Sequence, residues 1–132
     1  MHKYLVSKLQ EACQDLDDRF SINSGGCMYL AYVVAKKLEK LGVPYSVNMW
    51  YDENNDPYHV SLSIEGIDIN PIDYVLHKEI VSLGMMPSKW LLGFNNKNEH
   101  FDFLWKRPYK KIVRDTMSDL FNSYSKVVDS IA

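Results

Sequence analysis

The sequence predicts a single α+β domain that spans residues 1–132. Apolar residues recur at spacings of three and four in two N-terminal segments and one C-terminal segment, which is the pattern of amphipathic helices. Between them, short aromatic and β-branched segments alternate apolar with polar residues, as strands do. A composition of 46% hydrophobic and 24% charged residues is typical of globular proteins. We therefore expect helices packed on a small antiparallel sheet around one core.

Two helices are predicted in the N-terminal third of the chain. Residues 2–19 carry an apolar stripe, and the Ser-Ile-Asn-Ser-Gly-Gly segment at residues 21–26 interrupts the helical pattern. The stripe consists of Leu5, Val6, Leu9, Ala12, Cys13 and Leu16. The second helix is expected over residues 27–41, because Gly42 suits the position after a helix end and Pro44 cannot continue the helix.

Three short strands are expected next, at residues 45–51, 58–64 and 67–70. In the second strand, Val60, Leu62 and Ile64 share one face, and His59, Ser61 and Ser63 share the other. Glu65-Gly66 is the predicted hairpin turn between the last two strands, so an antiparallel meander is expected.

The remaining chain is less regular. Residues 71–83 fit either a helix that begins at Pro71 or a loop followed by a β-rich stretch around Ile80. Residues 84–105 are aromatic and irregular. The helical period returns over residues 109–131 and predicts a long C-terminal helix.

Charge and cysteine content exclude several classes of protein. A net charge of -2 argues against nucleic acid as the main partner. Two cysteines without a CxxC spacing provide neither a disulfide framework nor a zinc ribbon. No apolar run approaches the roughly 18 residues that a membrane helix requires. We expect a soluble domain in a reducing compartment, the cytoplasm, with no metal or cofactor and no membrane partner.

One cysteine and one histidine form a candidate nucleophile–base pair. Cys27 opens the second helix directly after Gly25-Gly26, and the free N–H groups of a helix N-terminus lower the pKa of a thiol. His59 lies on the polar face of a strand, where an imidazole can activate a thiol. The order and the elements together favour a catalytic pair over two unrelated residues.

A third polar residue is expected to orient the imidazole. A two-residue turn at Glu65-Gly66 pairs Ser63 with Asp68 and makes Asn70 a diagonal neighbour of His59. Asn70 is therefore the preferred orienting residue, with Asp68 as the alternative.

These pieces resemble the papain-like and transglutaminase-like cysteine enzymes. The resemblance is carried by Gly25-Gly26-Cys27, by His59-Val60, and by the Gly-Ile-Asp-Ile-Asn-Pro segment at residues 66–71. It covers about residues 24–72, which correspond to a compact catalytic half. It implies a papain-like fold in which the nucleophile helix packs on the sheet.

The resemblance also implies a role for each residue. Cys27 would be the nucleophile and His59 the general base and then acid. Asn70 or Asp68 would orient the histidine, and Asn23 would donate to the oxyanion. The implied activity is cysteine-dependent acyl transfer. The most direct form is a thiol peptidase or amidase acting on a peptide or protein substrate, and deamidation or amide transfer would use the same site.

Structural roles for the same residues remain open. Cys27 lies on the apolar stripe of its helix and also fits a core thiol. Asn70 before Pro71 fits a helix N-cap. An inactive papain-like fold that binds protein or nucleic acid is the alternative function, with the basic cluster at residues 106–114 and the surplus aromatic residues as its surface.

Overall fold

The computed structural model describes residues 2–72, 77–89, 91 and 107–131. Within them it contains three helices and one four-stranded antiparallel sheet, which confirms the α+β class. The elements in chain order are α1 (Lys3–Phe20), α2 (Cys27–Leu41), β1 (Ser46–Asp52), β2 (Pro57–Ile64), β3 (Ile67–Asp68), β4 (His77–Ser82) and α3 (Arg107–Ile131). Among these residues, no helix is both long and apolar enough to cross a membrane.

Helix α2 is the central helix of the domain, because it packs against β2 on one side and against α3 on another. An amphipathic helix with one buried face was expected, but α2 is buried around most of its circumference from Cys27 to Ala35. It ends where the sequence predicts: Gly42 adopts a φ of 70°, and its N–H donates to the carbonyl oxygen of Glu39. Helix α3 also contacts α1.

The sheet has the strand order β3-β2-β1-β4. Glu65 and Gly66 have φ values of 53° and 80°, as a two-residue turn of type I′ requires, and they connect β2 to β3. Ser63 pairs with Asp68, as the turn length predicts. The N–H of Ile69 then donates to Leu62, so the pairing continues beyond the end of β3.

The fourth strand resolves the alternatives for residues 71–83. Within residues 77–82, the helical alternative is wrong and the β-rich alternative is correct, because β4 pairs antiparallel with β1 and places Ile80 opposite Trp50. Residues 73–76 lie outside the described part of the chain. So do residue 90 and residues 92–106, so the prediction of irregular structure over 84–105 is addressed only at residues 84–89 and 91.

The two faces of the sheet have different chemistry. Val47, Met49, Val60, Leu62 and Ile64 belong to the same buried apolar cluster as α2. The opposite face carries polar and aromatic side chains, and these are also buried. The members of this polar face are Asn48, Trp50, His59, Ser61 and Ser63. The polar groups of a buried face need hydrogen-bond partners within the protein. This face carries His59, the predicted base.

The glycine pair before α2 is required by geometry. Gly25 has a φ of 122°, which side-chain-bearing residues rarely adopt. A Cβ on Gly26 would lie 2.8 Å from the carbonyl oxygen of Ile22 and 2.6 Å from its Cδ1. A side chain at residue 26 would therefore force the Ile22 backbone or the start of α2 to shift.

We expect Gly26→Ala to destabilise the protein by about 1–3 kcal/mol, because the added methyl group must push against a backbone oxygen. The urea midpoint of unfolding measures this effect. Ser24→Ala is the matched control, since Ser24 is exposed in the same turn. Equal midpoints for the wild type and Gly26→Ala would contradict the close approach.

Candidate active site

Cys27 is the first residue of α2, and its sulfur faces strand β2. The backbone N–H groups of Val60, Met28 and Cys27 itself lie near enough to this sulfur to lower the pKa of the thiol. The residue is only 3% exposed.

Burial controls the ionisation of this thiol. Desolvation raises the pKa of Cys27 above its ordinary value, and the three N–H groups lower that pKa by less than burial raises it. The lowered thiol pKa expected from the helix N-terminus is therefore wrong. Cys27 is a neutral thiol at physiological pH.

His59 is held through one of its two ring nitrogens. It lies on the polar face of β2, is 2% exposed, and its Nε2 lies 2.9 Å from the main-chain oxygen of Asn70. A carbonyl oxygen only accepts, so Nε2 carries the proton and Nδ1 of the neutral ring carries the lone pair. Trp50 packs edge-on against the ring with centroids 5.5 Å apart. Among the described residues, the buried Nδ1 has no hydrogen-bond partner.

The charge state of His59 is also set by burial. Desolvation lowers the pKa of His59 below 6.5, although the Asn70 carbonyl, Asp68 and Asp17 each raise it. The ring is therefore neutral at physiological pH. The thiol and the imidazole are therefore both neutral, and they do not form a thiolate–imidazolium ion pair.

The backbone of Val60, which lowers the pKa of Cys27, belongs to the residue that follows His59. The Val60 side chain joins Cys27 in the apolar cluster, whereas the His59 side chain lies on the opposite, polar face of β2. Nδ1 of His59 has no hydrogen-bond partner among the described residues, so the Cys27 sulfur is not within hydrogen-bond distance of this nitrogen.

Asn70 contacts His59 through its main chain, whereas the sequence-based expectation was a contact through its side-chain amide. The amide is engaged elsewhere: Asn70 Nδ2 donates to Asn23 Oδ1 at 2.9 Å, and Asn23 Nδ2 donates to Asn70 Oδ1 at 3.2 Å. This reciprocal pair ties the turn before Cys27 to the segment after β3. Asn23, expected as an oxyanion donor, thus has its side chain directed at Asn70.

Asp68 accepts three hydrogen bonds. Its Oδ2 accepts from the Ser61 hydroxyl at 2.5 Å and from the Asn48 amide at 3.1 Å, and its Oδ1 accepts from the N–H of Asn70 at 2.8 Å. Trp50 Nε1 also donates to Ser61 Oγ at 2.9 Å. The carboxylate is the shared acceptor of the polar face.

Asn48, Trp50 and Ser61 were not predicted as site residues from the sequence. A signal for them exists, since polar or amphipathic side chains occupy alternate positions on two paired strands opposite the apolar face. Cys13 has the structural role expected for it: it is buried, and desolvation raises its pKa to about 12. Within the described ranges, no three His, Cys, Asp or Glu side chains form a group suited to a metal ion.

Comparisons with protein-family models, curated proteins and solved structures find no match to this chain. The resemblance to papain-like and transglutaminase-like enzymes consequently stays a prediction that depends on the residues described above.

The buried histidine makes stability dependent on pH. His59 takes up a proton near its ordinary pKa of 6.5 in the unfolded chain but only at lower pH in the folded protein. Its contribution is therefore fully present above pH 6.5 and is lost on acidification, by up to about 1.4 kcal/mol per pH unit.

We expect His59→Gln, which keeps a donor but cannot ionise, to reduce this acid loss. The measurement is the free energy of unfolding in urea at several pH values between 4 and 7. The same pH slope in both proteins would show that His59 does not stay neutral in the fold.

Proposed function

We propose that this protein is a cysteine-dependent acyl-transfer enzyme with Cys27 as the nucleophile and His59 as the general base. One observation carries the proposal: the backbone of Val60, which lowers the pKa of Cys27, adjoins a buried histidine whose ring is held through Nε2 and whose Nδ1 has no partner among the described residues. The Nδ1 lone pair then remains available to take up a proton. The lowered pKa of His59 keeps Nδ1 unprotonated at physiological pH, which is the form that a general base requires.

The reaction starts from the neutral pair. As the sulfur attacks an acyl carbonyl, the thiol proton moves to Nδ1, and Asn70 holds the Nε2–H of the imidazolium that forms. The leaving amine or alcohol then takes the proton from Nδ1, and a thioester remains on Cys27. Water or an amine attacks this thioester with the same histidine as base. Hydrolysis of a peptide or amide bond is the proposed outcome, and deamidation or amide transfer uses the same steps.

The arrangement of elements supports a papain-like or transglutaminase-like fold. The cysteine opens a central helix, that helix packs on an antiparallel sheet, and the histidine lies on β2 while its partner Asn70 follows the neighbouring strand β3. A peptide or protein in the cytoplasm is the proposed substrate. Asn23 remains the proposed side-chain donor to the oxyanion, for which it must give up its bond to Asn70.

Burial limits access to this site. Cys27 and His59 are each less than 5% exposed, so a carbonyl group reaches the sulfur only when neighbouring side chains move. Small reagents should therefore react with Cys27 faster than bulky ones of equal intrinsic reactivity. The same burial favours the second candidate function, a catalytically inactive binding module in which both residues belong to the core.

Alkylation of the thiols distinguishes the two functions. We expect iodoacetamide to label Cys27 faster than Cys13 near pH 7, because His59 is the proposed base for Cys27 and not for Cys13. The Cys27 rate should rise with pH through the lowered pKa of His59 and level off by about pH 7. His59→Gln should slow labelling of Cys27 by about 100-fold and leave Cys13 unchanged. Equal, slow labelling of both cysteines in both proteins would support the inactive module.

Trapping the acyl-enzyme tests the chemistry itself. Incubation with p-nitrophenyl acetate should add one acetyl group to Cys27, detected by mass spectrometry of the intact protein and its peptides. Cys27→Ala should abolish this adduct, whereas Cys13→Ala should retain it. An adduct that persists in Cys27→Ala would exclude Cys27 as the nucleophile.

A further inference from the structure

Asp68 joins the polar face of the sheet, and its carboxylate connects three segments of chain. It accepts from Ser61 on β2, from Asn48 on β1 and from the backbone N–H of Asn70. The Asn48 amide also donates to Ser63 Oγ at 2.6 Å. Each carboxylate oxygen is therefore held in place by at least one donor.

The contact with Asn70 has a particular consequence. A bond from a carboxylate to the N–H two residues later closes an Asx turn, which fixes the orientation of that peptide segment. The carbonyl of the same residue, Asn70, is the group that accepts from His59 Nε2. The carboxylate of Asp68 and the ring of His59 are therefore bonded to the N–H and to the carbonyl of the same residue.

We propose that Asp68 is the positioning residue for His59 and acts through the main chain of Asn70. The proposal rests on the proposed function for its catalytic consequence, but its effect on the histidine ring is independent of activity. The side chain of Asn70 takes no part in it, because its amide is paired with Asn23.

Charge adds to this positioning. Asp68 and Asp17 are the acidic groups that raise the pKa of His59, while burial lowers it. The neutral Cys27 thiol lies near the backbone of Val60, which follows His59 on β2. Removal of the Asp68 charge should lower the pKa of His59 further and destabilise the imidazolium formed during attack. Asp17 is held differently, since its Oδ1 accepts from the N–H of Asn23.

The experiment follows the ring nitrogens of His59 by ¹H–¹⁵N correlation NMR between pH 4 and 8. In the wild type we expect one tautomer with the proton on Nε2. Asp68→Asn should mix the two tautomers, lower the pKa of His59 and slow formation of acetyl-Cys27 by about tenfold.

Ser63→Ala is the matched control, because it removes a contact of Asn48 without touching the bond between Asp68 and Asn70. The control should keep the wild-type tautomer and pKa.

A wild-type tautomer and pKa in Asp68→Asn would overturn the positioning role, whatever its activity. A changed tautomer in Asp68→Asn together with no acetyl-Cys27 in the wild type would support positioning and reject the proposed function. If Asp68→Asn does not fold, the wild type provides the test. A wild-type His59 ring that carries its proton on Nδ1 would then overturn the proposal.

Discussion

The register of the β2–β3 hairpin determines which polar side chains of this protein meet. The Glu65-Gly66 turn opposes Ser63 and Asp68, and the chain then returns along β2 until the carbonyl of Asn70 reaches His59. A slip of one residue would move every side chain of β3 to the other face and leave the histidine without its acceptor. The register of β2 and β3 therefore determines that Nε2 of His59 carries the proton and that Nδ1 carries the lone pair.

Burial determines the electrostatics of the site. A thiol at a helix N-terminus usually ionises easily, but desolvation outweighs the three N–H groups around Cys27 and keeps it neutral. The same desolvation keeps His59 neutral. The proposed chemistry therefore resembles base-assisted attack by a neutral nucleophile, in which charge develops only as the thiol proton moves to the ring. The Asn70 carbonyl already accepts from the ring, and the charge of Asp68 favours the imidazolium.

Local patterns in the sequence predicted much of the fold. Gly42 ends α2 as expected, and the two-residue turn gave the correct pairing of Ser63 with Asp68. Other features depend on contacts between distant segments. Strand β4 pairs with β1, which is distant from it in the sequence. Local periodicity therefore did not decide between helix and strand for these residues. The raised pKa of Cys27 depends on burial, to which β2 and α3 contribute by packing against α2. The contact through the Asn70 carbonyl instead of its amide depends on an Asx turn and on pairing with Asn23, neither of which residue spacing reveals.

The ¹⁵N resonance of His59 Nδ1 provides the most direct test of the pairing between base and nucleophile. We expect an unprotonated Nδ1 at neutral pH. Its resonance should shift when Cys27 is replaced by alanine and should not shift when Cys13 is replaced by alanine. Both cysteines are buried, so a general effect of core mutation would appear in both variants. A protonated Nδ1, or a resonance that is the same in Cys27→Ala as in the wild type, would contradict the claim that the imidazole and the thiol act together.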